Sequence, residues 1–397
     1  MKLLIRGPFF LKGNGYASAL KAHINVFADV FEQTKFENFK PIGLNEVESN
    51  SYNDFITKNL ISSNWKPDVT INYLAPNVAQ KYRGCFNIIF TYWETDLIPG
   101  NANSSNRTKE KNNWVQQLNG YDLVLTASSY AKQAFIDSGV VRPIEVLPWP
   151  LEEVSSEVNA LNTNFLNVIN GEERGLFEIQ ANSSFILSSI GEYQARKNFH
   201  QLIKNFIITF YNDNSKALIL KLSNTGVAFY KSNIIIQDIQ HYIKSIKLPE
   251  PVRCSIYVST EHLRKSEIIN ILQSSDYYIT TSRGEGMGGP VIEALDLGVP
   301  VISGWHTSLK DFLNHSNSIQ IDHYSDYIQE KNSVHYEDHQ QCAYYRDGSI
   351  QQSLVESLER SQSFSKEKIK KEINSLLGME RNKQLFNKII KQYIGQI

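Results

Sequence analysis

The stretch TSRGEGMGGPVIEALDLGVPVI, residues 281–302, decides the fold that the sequence predicts. Four of the six positions 284–289 are glycine, Pro290 then opens an apolar segment, and Gly298 closes it. Proline suits the first positions of a helix, and glycine suits the position just past its end. The stretch therefore predicts a glycine-rich loop, a helix and the start of a strand, which are parts of a parallel α/β sheet.

Outward from this stretch, apolar runs of strand length alternate with segments of helical periodicity over most of the chain. The predicted strands are 3–5, 69–71, 86–92, 123–125, 144–147, 185–187, 217–222, 255–258, 277–280 and 299–302. The predicted helices are 16–31, 128–138, 199–211, 265–273, 290–297 and, within a basic C-terminal stretch, 365–394. Such alternation predicts parallel sheets that are covered by helices on both faces.

The length of 397 residues predicts two domains or one large domain. We expect an N-terminal domain over 1–155, a C-terminal domain over 184–379, and a linker over 156–183, where Asn, Ser and Glu are frequent and one helix fits at most. The apolar positions of residues 385–394 share one helical face, which favours packing of this helix on the protein's own surface. A helix that binds a membrane surface or a partner protein stays an alternative.

Composition excludes several classes of protein. Lys plus Arg total 40 and Asp plus Glu total 41, a balance that argues against a protein that coats nucleic acid. The three cysteines, Cys85, Cys254 and Cys342, are widely spaced, which predicts a reducing compartment and no disulfide scaffold. The apolar run at the N-terminus is too short for a signal peptide, and no stretch reaches the ~20 apolar residues of a membrane span. These features together predict a cytoplasmic protein.

The glycine-rich loop points to an anionic ligand. Because the loop leads into a helix N-terminus, its ligand would meet free N–H groups and the positive end of the helix dipole. Glu285 lies in the loop and Glu293 on the helix. Carboxylates accept hydrogen bonds from paired hydroxyls, so Glu293 suits a ribose diol and Glu285 a sugar hydroxyl. The combination predicts a ligand in which a sugar is joined to a phosphate.

A basic pair supports this interpretation. Arg196 and Lys197 follow the predicted strand 185–187 and precede the helix 199–211. An adjacent arginine and lysine can neutralise a diphosphate, the arginine through two parallel hydrogen bonds and the lysine as a point charge. Alone the pair carries little weight, because most such pairs are solvated, but together with the glycine-rich loop it favours a diphosphate site.

The pattern Glu-Gly-x-Gly-x-Pro-x-x-Glu-Ala, from Glu285 to Ala294, resembles the nucleotide-sugar signature of glycosyltransferase family 4, the group 1 glycosyltransferases. Arg196-Lys197-Asn198 resembles the basic diphosphate-binding pair of that family. The segments 90–95 and 144–150 also resemble first-domain segments of its bacterial members. The resemblance is strong over 185–305, moderate over 1–150, and weak in the linker and beyond residue 330.

The resemblance implies an α/β protein of the GT-B fold, with two doubly wound Rossmann-like domains that face each other across a cleft. The C-terminal domain would bind a nucleotide diphosphate sugar, the acceptor would enter from the N-terminal domain, and the helix at about 380–397 would return to the N-terminal domain. The implied reaction is transfer of the sugar to an acceptor hydroxyl with retention, in bacterial glycan or glycoconjugate synthesis. The acceptor would be a glycan, a lipid-linked intermediate or a protein.

The resemblance also assigns roles to residues. The catalytic residues would be Arg196 and Lys197, which stabilise the departing diphosphate, and Glu285, which contacts the donor sugar. The residues that bind the donor would be Gly15, beside Gly13 in the first domain, and Gly286, Met287, Gly288, Gly289, Val291 and Glu293. His306, just after the strand 299–302, is a further candidate contact.

Two departures concern the acceptor and the metal. Many family members carry a histidine after the strand that matches 86–92, but here the sequence reads Trp93-Glu94-Thr95-Asp96, so Glu94 is the acceptor-side candidate. No two aspartates are spaced as Asp-x-Asp, the pair that would hold a divalent cation on a diphosphate. We therefore expect no metal and no cofactor.

Two other functions stay open. The first is a GT-B chain without catalysis that acts as a binding or chaperone subunit, and the second is a sugar-nucleotide epimerase or a phosphorylase on the same fold. The presence of both basic residues and both glutamates favours the active transferase. We also keep open a location at the inner face of the membrane, through the basic C-terminal helix.

Overall fold

The computed structural model of the chain describes residues 1–10, 15–39, 51–62, 64–151, 163–223, 232–248, 251–329 and 336–395. The chain divides into two units. The first unit contains Met1–Glu152, Val334–Gln341 and Ser375–Ile397, and the second contains Glu153–Ser333 and Cys342–Asn374. Each unit is therefore assembled from segments that are distant in the sequence.

Strands and helices alternate in both units. The strands are β1 Lys2–Gly7, β2 Gln33–Asn38, β3 Val69–Tyr73, β4 Phe86–Phe90, β5 Leu123–Thr126, β6 Ile144–Val146, β7 Asn164–Asn167, β8 Glu173–Gly175, β9 Phe185–Glu192, β10 Lys216–Ser223, β11 Ser255–Ser259, β12 Tyr277–Thr280, β13 Val301–Ser303, β14 Ser318–Gln320, β15 His323–Tyr327 and β16 Gln341–Tyr345. The helices are α1 Gly15–Ala28, α2 Ser51–Lys58, α3 Asn106–Lys111, α4 Trp114–Leu118, α5 Ser129–Asp137, α6 Leu176–Asn182, α7 Phe199–Phe210, α8 Ser232–Ser245, α9 Lys265–Gln273, α10 Gly289–Asp296, α11 Ser349–Glu359, α12 Lys366–Leu377 and α13 Met379–Tyr393. Short 3₁₀ turns lie at Ala195–Lys197 and Thr307–Asp311.

The sheet of the first unit has the strand order β2-β1-β3-β4-β5-β6, and all of its strand pairs are parallel. The sheet of the second unit has the order β14-β13-β12-β9-β10-β11-β7-β8 and is parallel except for its antiparallel edge of β7 and β8. A separate pair is formed by β15 and β16. The predicted α/β class with parallel sheets is therefore confirmed.

The core of the second unit explains why α7 is held firmly. Leu202 and Phe206 of α7 are fully buried in one apolar cluster with Leu218 and Leu220 of β10 and with Leu354 of α11. Strands that are covered on both faces carry apolar side chains on both faces, as the continuous run in β10 does. This packing fixes the start of α7, which directly follows the basic pair.

The C-terminal helix α13 packs within the first unit. Its Phe386 is buried. The ring of Phe386 lies 5.0 Å from that of Phe27, on α1, and 6.4 Å from that of Phe31, which follows α1. Lys383 lies 3.4 Å from the Asp29 carboxylate. The apolar stripe that the sequence shows in this helix is therefore covered by the protein's own chain. None of the helices in the described residues is apolar over a length that would cross a membrane.

Two segments differ from the expectation. Residues 156–162 of the predicted linker lie outside the described residues, and residues 163–183 form β7, β8 and α6 of the second unit. The polar composition of this stretch fits an edge of a sheet, where one side of each strand stays in water. The C-terminal stretch, predicted as one helical segment, is divided into α12 and α13 at Gly378.

Candidate functional site

The glycine-rich loop of the second unit connects β12 to α10. Gly288 precedes the helix with a φ of +79°, in the left-handed region that favours glycine. A Cβ atom at this position would lie 2.7 Å from Cδ2 of Leu309, so a side chain here would also require Leu309 to shift. Because the capping residue is a glycine, no side chain caps the first turn of α10. The N–H groups at the positive end of this helix are therefore available to groups of the loop or to a ligand.

The basic pair lies at the end of the neighbouring strand β9. Arg196 and Lys197 belong to the 3₁₀ turn that follows this strand, and Asn198 then turns the chain into α7 with a φ of +58°. The backbone N–H of Arg283 donates a 2.8 Å hydrogen bond to the carbonyl of Arg196. Since β9 and β12 are adjacent and parallel, the segments after their carboxyl ends meet at one edge of the sheet.

The three residues that the sequence predicted as catalytic are in contact. The Lys197 ammonium lies 2.5 Å from Oε1 of Glu285, and the Arg196 guanidinium lies 3.8 Å from Oε2. Arg196 also donates a hydrogen bond to the carbonyl of Gly284. The side chains of Arg196, Lys197 and Glu285 are only 17%, 14% and 9% exposed, so water screens these contacts weakly.

Glu285 is ionised in this environment. Burial by itself would raise the pKa of the carboxyl, but the charges of Lys197 and Arg196, together with hydrogen bonds from Lys197 and Ser282, outweigh burial and lower the pKa below its ordinary value. Two cations and one carboxylate leave a net charge of about +1, by the ordinary charges of these groups at neutral pH. A diphosphate that binds here therefore has to compete with Glu285 for the two cations.

The second glutamate of the motif has its own cation. Glu293 lies on α10 with 26% of its side chain exposed, and its carboxylate accepts a hydrogen bond from the ammonium of Lys265, the first residue of α9. The sequence analysis missed Lys265, because nothing in a lysine at a helix start distinguishes it from a solvated side chain. The partial exposure of Glu293 leaves it accessible to a ligand.

The other donor-binding residues of the second unit contribute mainly backbone. Met287 and Val291 are 4% and 2% exposed, so their side chains belong to the core. The N–H of Val291 donates a 2.9 Å hydrogen bond to the carbonyl of Gly288 and is therefore engaged within the first turn of α10. Gly289 is buried and Gly286 is partly exposed.

The two predicted residues of the first unit that the structure describes, Gly15 and Glu94, lie in different segments. Gly13 lies outside the described residues. Gly15 begins α1 and is exposed, and no atom lies within 4 Å of the position of a Cβ atom there. No contact of the described chain therefore requires a glycine at this position. Glu94 follows β4, where it accepts a hydrogen bond from the hydroxyl of Tyr336.

Sequence reasoning missed a segment that fixes the backbone of Glu285. The N–H of Glu285 donates a 3.0 Å hydrogen bond to the hydroxyl of Thr307, and the N–H of Ser308 donates a 3.4 Å bond to the carbonyl of Glu285. Thr307 has a φ of +49°, which is unusual for a β-branched residue and marks a strained position. Strain of this kind has no signal in a single sequence.

His306, the further candidate contact, lies inside the unit. It is 8% exposed, with Nε2 3.1 Å from the hydroxyl of Tyr345 and Nδ1 3.3 Å from that of Thr307. Burial, together with the neighbouring His323, lowers the pKa of His306 to about 3. The imidazole is therefore neutral at physiological pH and supports the strained segment.

We expect His306 to make the protein sensitive to mild acid. Its pKa is lower in the folded than in the unfolded protein, so its contribution to stability is complete above pH 6.5 and is lost as the pH falls toward 3. At pH 5 the loss is about 2 kcal/mol in the free energy of unfolding. In urea titrations at pH 7 and pH 5, the variant His306→Gln should lose about 2 kcal/mol less than the wild type.

The exposed His241 on α8 provides the matched control. His241→Gln should keep the wild-type loss of stability between pH 7 and pH 5. An equal loss in His306→Gln and in the wild type would contradict the assignment of a neutral, buried imidazole.

Comparisons with known proteins bear on this site. Residues 256–330, which include the glycine-rich loop and α10, match the model of the family described as glycosyl transferases group 1. This segment is similar to that family. The match confirms the predicted enzyme class, a glycosyltransferase. No curated protein sequence is significantly similar to the chain.

Several solved structures share the fold of this chain. The N-terminal domain of Candida albicans trehalose-6-phosphate phosphatase is 13% identical with a TM-score of 0.63, and the match covers 99% of this chain and 98% of that one. An E. coli trehalose-6-phosphate protein bound with UDP-2-fluoro glucose is 11% identical with a TM-score of 0.60, and the match covers 99% of each chain. A mutant of S. aureus TarM in complex with UDP, fondaparinux and α-GlcNAc-glycerol is 12% identical with a TM-score of 0.50, over 80% of this chain and 54% of that one. These likenesses confirm the predicted α/β, GT-B fold.

Proposed function

We propose that the protein is a retaining glycosyltransferase of family 4 that transfers a sugar from a nucleotide diphosphate sugar to an acceptor hydroxyl. We place it in bacterial glycan or glycoconjugate synthesis, in the cytoplasm, and without a metal. The observation that carries the proposal is the contact of Arg196 and Lys197 with Glu285 of the glycine-rich loop. These are the two segments in which the sequence analysis predicted the site. The group 1 match over 256–330 supports the same chemistry.

The cluster suits the departure of a diphosphate. When the bond between the sugar and the diphosphate breaks, negative charge develops on the leaving phosphate. In the ligand-free protein Glu285 holds Lys197 and Arg196 beside the loop, and once the diphosphate replaces Glu285 as their partner the two cations stabilise this charge. The uncapped first turn of α10 adds the positive end of a helix dipole. Glu285, once displaced from the cations, accepts hydrogen bonds from the donor sugar.

Uridine diphosphate sugars are the first donors to test. The E. coli structural neighbour is bound with UDP-2-fluoro glucose, and the TarM mutant is bound with UDP. Glu293 would hold the ribose, because its carboxylate is partly exposed on the first turns of α10. Glu94, in the first unit, remains our acceptor-side candidate.

The test is incubation of the purified protein with a panel of labelled sugar nucleotides and hydroxylated acceptors. We expect transfer, or slow hydrolysis of one donor without an acceptor, with retained configuration in the NMR spectrum of the product. Addition of EDTA should leave the rate unchanged. A protein that binds donors but shows neither transfer nor hydrolysis would be a binding subunit, and an epimerised sugar nucleotide would identify an epimerase.

Glu293→Ala should weaken donor binding. Loss of hydrogen bonds from the ribose to a charged carboxylate costs about 1.5–3 kcal/mol, which corresponds to a roughly 10- to 100-fold larger dissociation constant. Isothermal titration with nucleoside diphosphates measures the effect.

Lys265→Ala is the matched control, because it breaks the same ion pair and keeps the carboxylate. We expect its donor affinity to stay much closer to that of the wild type. Equal losses in the two variants would mean that the ion pair, and not a ribose contact, explains the effect of Glu293.

A further inference from the structure

The second unit holds a cavity of about 290 Å³, and Arg283, two residues before Glu285, is part of its wall. Its wall is formed by four residues of α7 between Gln201 and Ile208, by Arg283, by side chains of β15 and β16, and by the start of α11. The volume is at the lower end of the range for small-molecule sites, about 300–1,000 Å³, and equals the space of roughly ten waters. A ligand that lies wholly within this cavity is therefore smaller than a nucleotide sugar.

Positive charge dominates the wall. Lys204, Arg283 and Arg346 line the cavity, with Asp347 as the one acidic residue among the lining side chains. Arg346 is paired with Asp322 at 3.1 Å, whereas Lys204 has neither an ion pair nor a hydrogen bond within the part of the chain that the structure describes. The lining cations Lys204, Arg283 and Arg346 outnumber Asp347 and the Asp322 partner of Arg346, so the wall favours an anionic ligand.

Aromatic rings hold the two guanidinium groups. The guanidinium of Arg283 lies 4.8 Å from the ring centre of Tyr344, and that of Arg346 lies 5.5 Å from that of Tyr324. Stacking engages the face of a guanidinium, whereas its N–H donors lie along its planar edge. Such an edge matches the oxygens of a phosphate group.

The start of α11 and several amides complete the wall. Gly348 precedes this 11-residue helix with a φ of +77° and provides no side chain to cap it. The uncapped N–H groups at a helix start favour an anion. Side-chain amides of α7, of the residue just before it and of α11 also line the cavity, and amides donate to and accept from hydroxyl groups. They are Asn198, Gln201, Asn205 and Gln351.

We propose that this cavity is a second ligand site, which binds a small hydroxylated phosphate monoester. The cationic groups and the helix start bind the phosphate, and the amides bind the hydroxyls. The size of the cavity separates this ligand from the sugar nucleotide that we assign to the loop of Glu285.

The cavity is linked to the donor residues through one peptide segment. The N–H of Arg283 bonds to the carbonyl of Arg196, and its side chain donates a 3.4 Å hydrogen bond to Oδ1 of Asn198, which follows Lys197. The hydroxyl of Tyr345 donates a 2.8 Å bond to the carbonyl of Ser282. A phosphate that draws the guanidinium of Arg283 toward it changes the position of the segment that carries Glu285. The ligand therefore alters sugar transfer, a consequence that rests on the proposed function.

The test is equilibrium binding by calorimetry. The panel contains a hexose 6-phosphate, glycerol 3-phosphate, the unphosphorylated hexose and glycerol, and inorganic phosphate. We expect at least one phosphate ester to bind more tightly than both its parent alcohol and inorganic phosphate. Lys204→Gln should weaken the binding of that ester about tenfold or more, since a charge-assisted hydrogen bond is lost. Lys244→Gln, an exposed lysine on α8, should leave it unchanged.

Three results would overturn the proposal. The first is that no ester binds, and the second is that inorganic phosphate binds as tightly as the esters. The third is that a nucleoside diphosphate displaces the ester while Lys204→Gln leaves ester binding intact. Donor binding is measured in the same samples with a panel of nucleoside diphosphates. Ester binding without any donor binding would reject the proposed function and retain the second site, and the reverse result would reject only the second site.

Discussion

Replacement of Lys197 by alanine should lower the turnover number of sugar transfer about 100- to 1,000-fold. The ammonium lies at the carboxylate of Glu285 and only 14% of the side chain is exposed, so it acts on the leaving diphosphate in a weakly screened environment. Removal of one such preorganised donor typically costs about 2.7–4 kcal/mol of transition-state stabilisation. We expect a smaller effect on the donor dissociation constant, because Arg196 and the start of α10 still hold the diphosphate.

Steady-state kinetics and donor titration together check this result. Lys244→Ala, on the exposed face of α8, controls for the loss of a lysine elsewhere in the second unit. Near-normal turnover of Lys197→Ala would place the leaving group elsewhere. A loss confined to the Michaelis constant of the donor would make Lys197 a residue of ground-state binding only.

Replacement of Glu285 by glutamine should act in opposite directions on binding and on transfer. In the ligand-free protein Glu285 neutralises part of the charge of Arg196 and Lys197, and its lowered pKa shows that this attraction outweighs the cost of burial. Glutamine keeps the shape and removes the competing charge. A nucleoside diphosphate should then bind several-fold more tightly, by about 1 kcal/mol. Sugar transfer should fall about 100-fold, because the carboxylate that accepts from the donor sugar is absent.

Calorimetry with a nucleoside diphosphate and kinetics with the intact donor separate the two effects. The gain in affinity should shrink as the salt concentration rises, since it comes from a change of charge. Glu359→Gln, an exposed carboxylate on α11, should change neither quantity. Weaker binding of the nucleoside diphosphate to Glu285→Gln would show that the diphosphate does not compete with this carboxylate.

The fold class was predictable because its signals are local. The bounds of α9 and β12 agree with the predicted segments 265–273 and 277–280. Helix α10 begins one residue before Pro290 and ends before Gly298, whose φ of +77° needs a glycine. Turn residues and apolar periodicity depend on residues that are close in the sequence, so they can be recognised without knowledge of tertiary contacts.

The short and polar strands were not predictable. β2 has the sequence QTKFEN, with one buried residue, and it lies at the edge of its sheet beside β1. In the sheet of the second unit, β7 and β8 form one edge as an antiparallel pair beside β11. Such strands are stabilised by hydrogen bonds to a neighbour and not by their own apolar pattern, so their sequences resemble loops.

The sequence by itself determined the α/β class and the residues that carry the candidate chemistry, Arg196, Lys197, Glu285 and Glu293. Only the tertiary structure decided their charge partners, which are Glu285 for the basic pair and Lys265 for Glu293. It also decided that the strained Thr307 holds the backbone of Glu285. The physical reason is that these contacts join segments far apart in the chain and depend on strand order, with β9 beside β12, which hydrophobic periodicity does not encode.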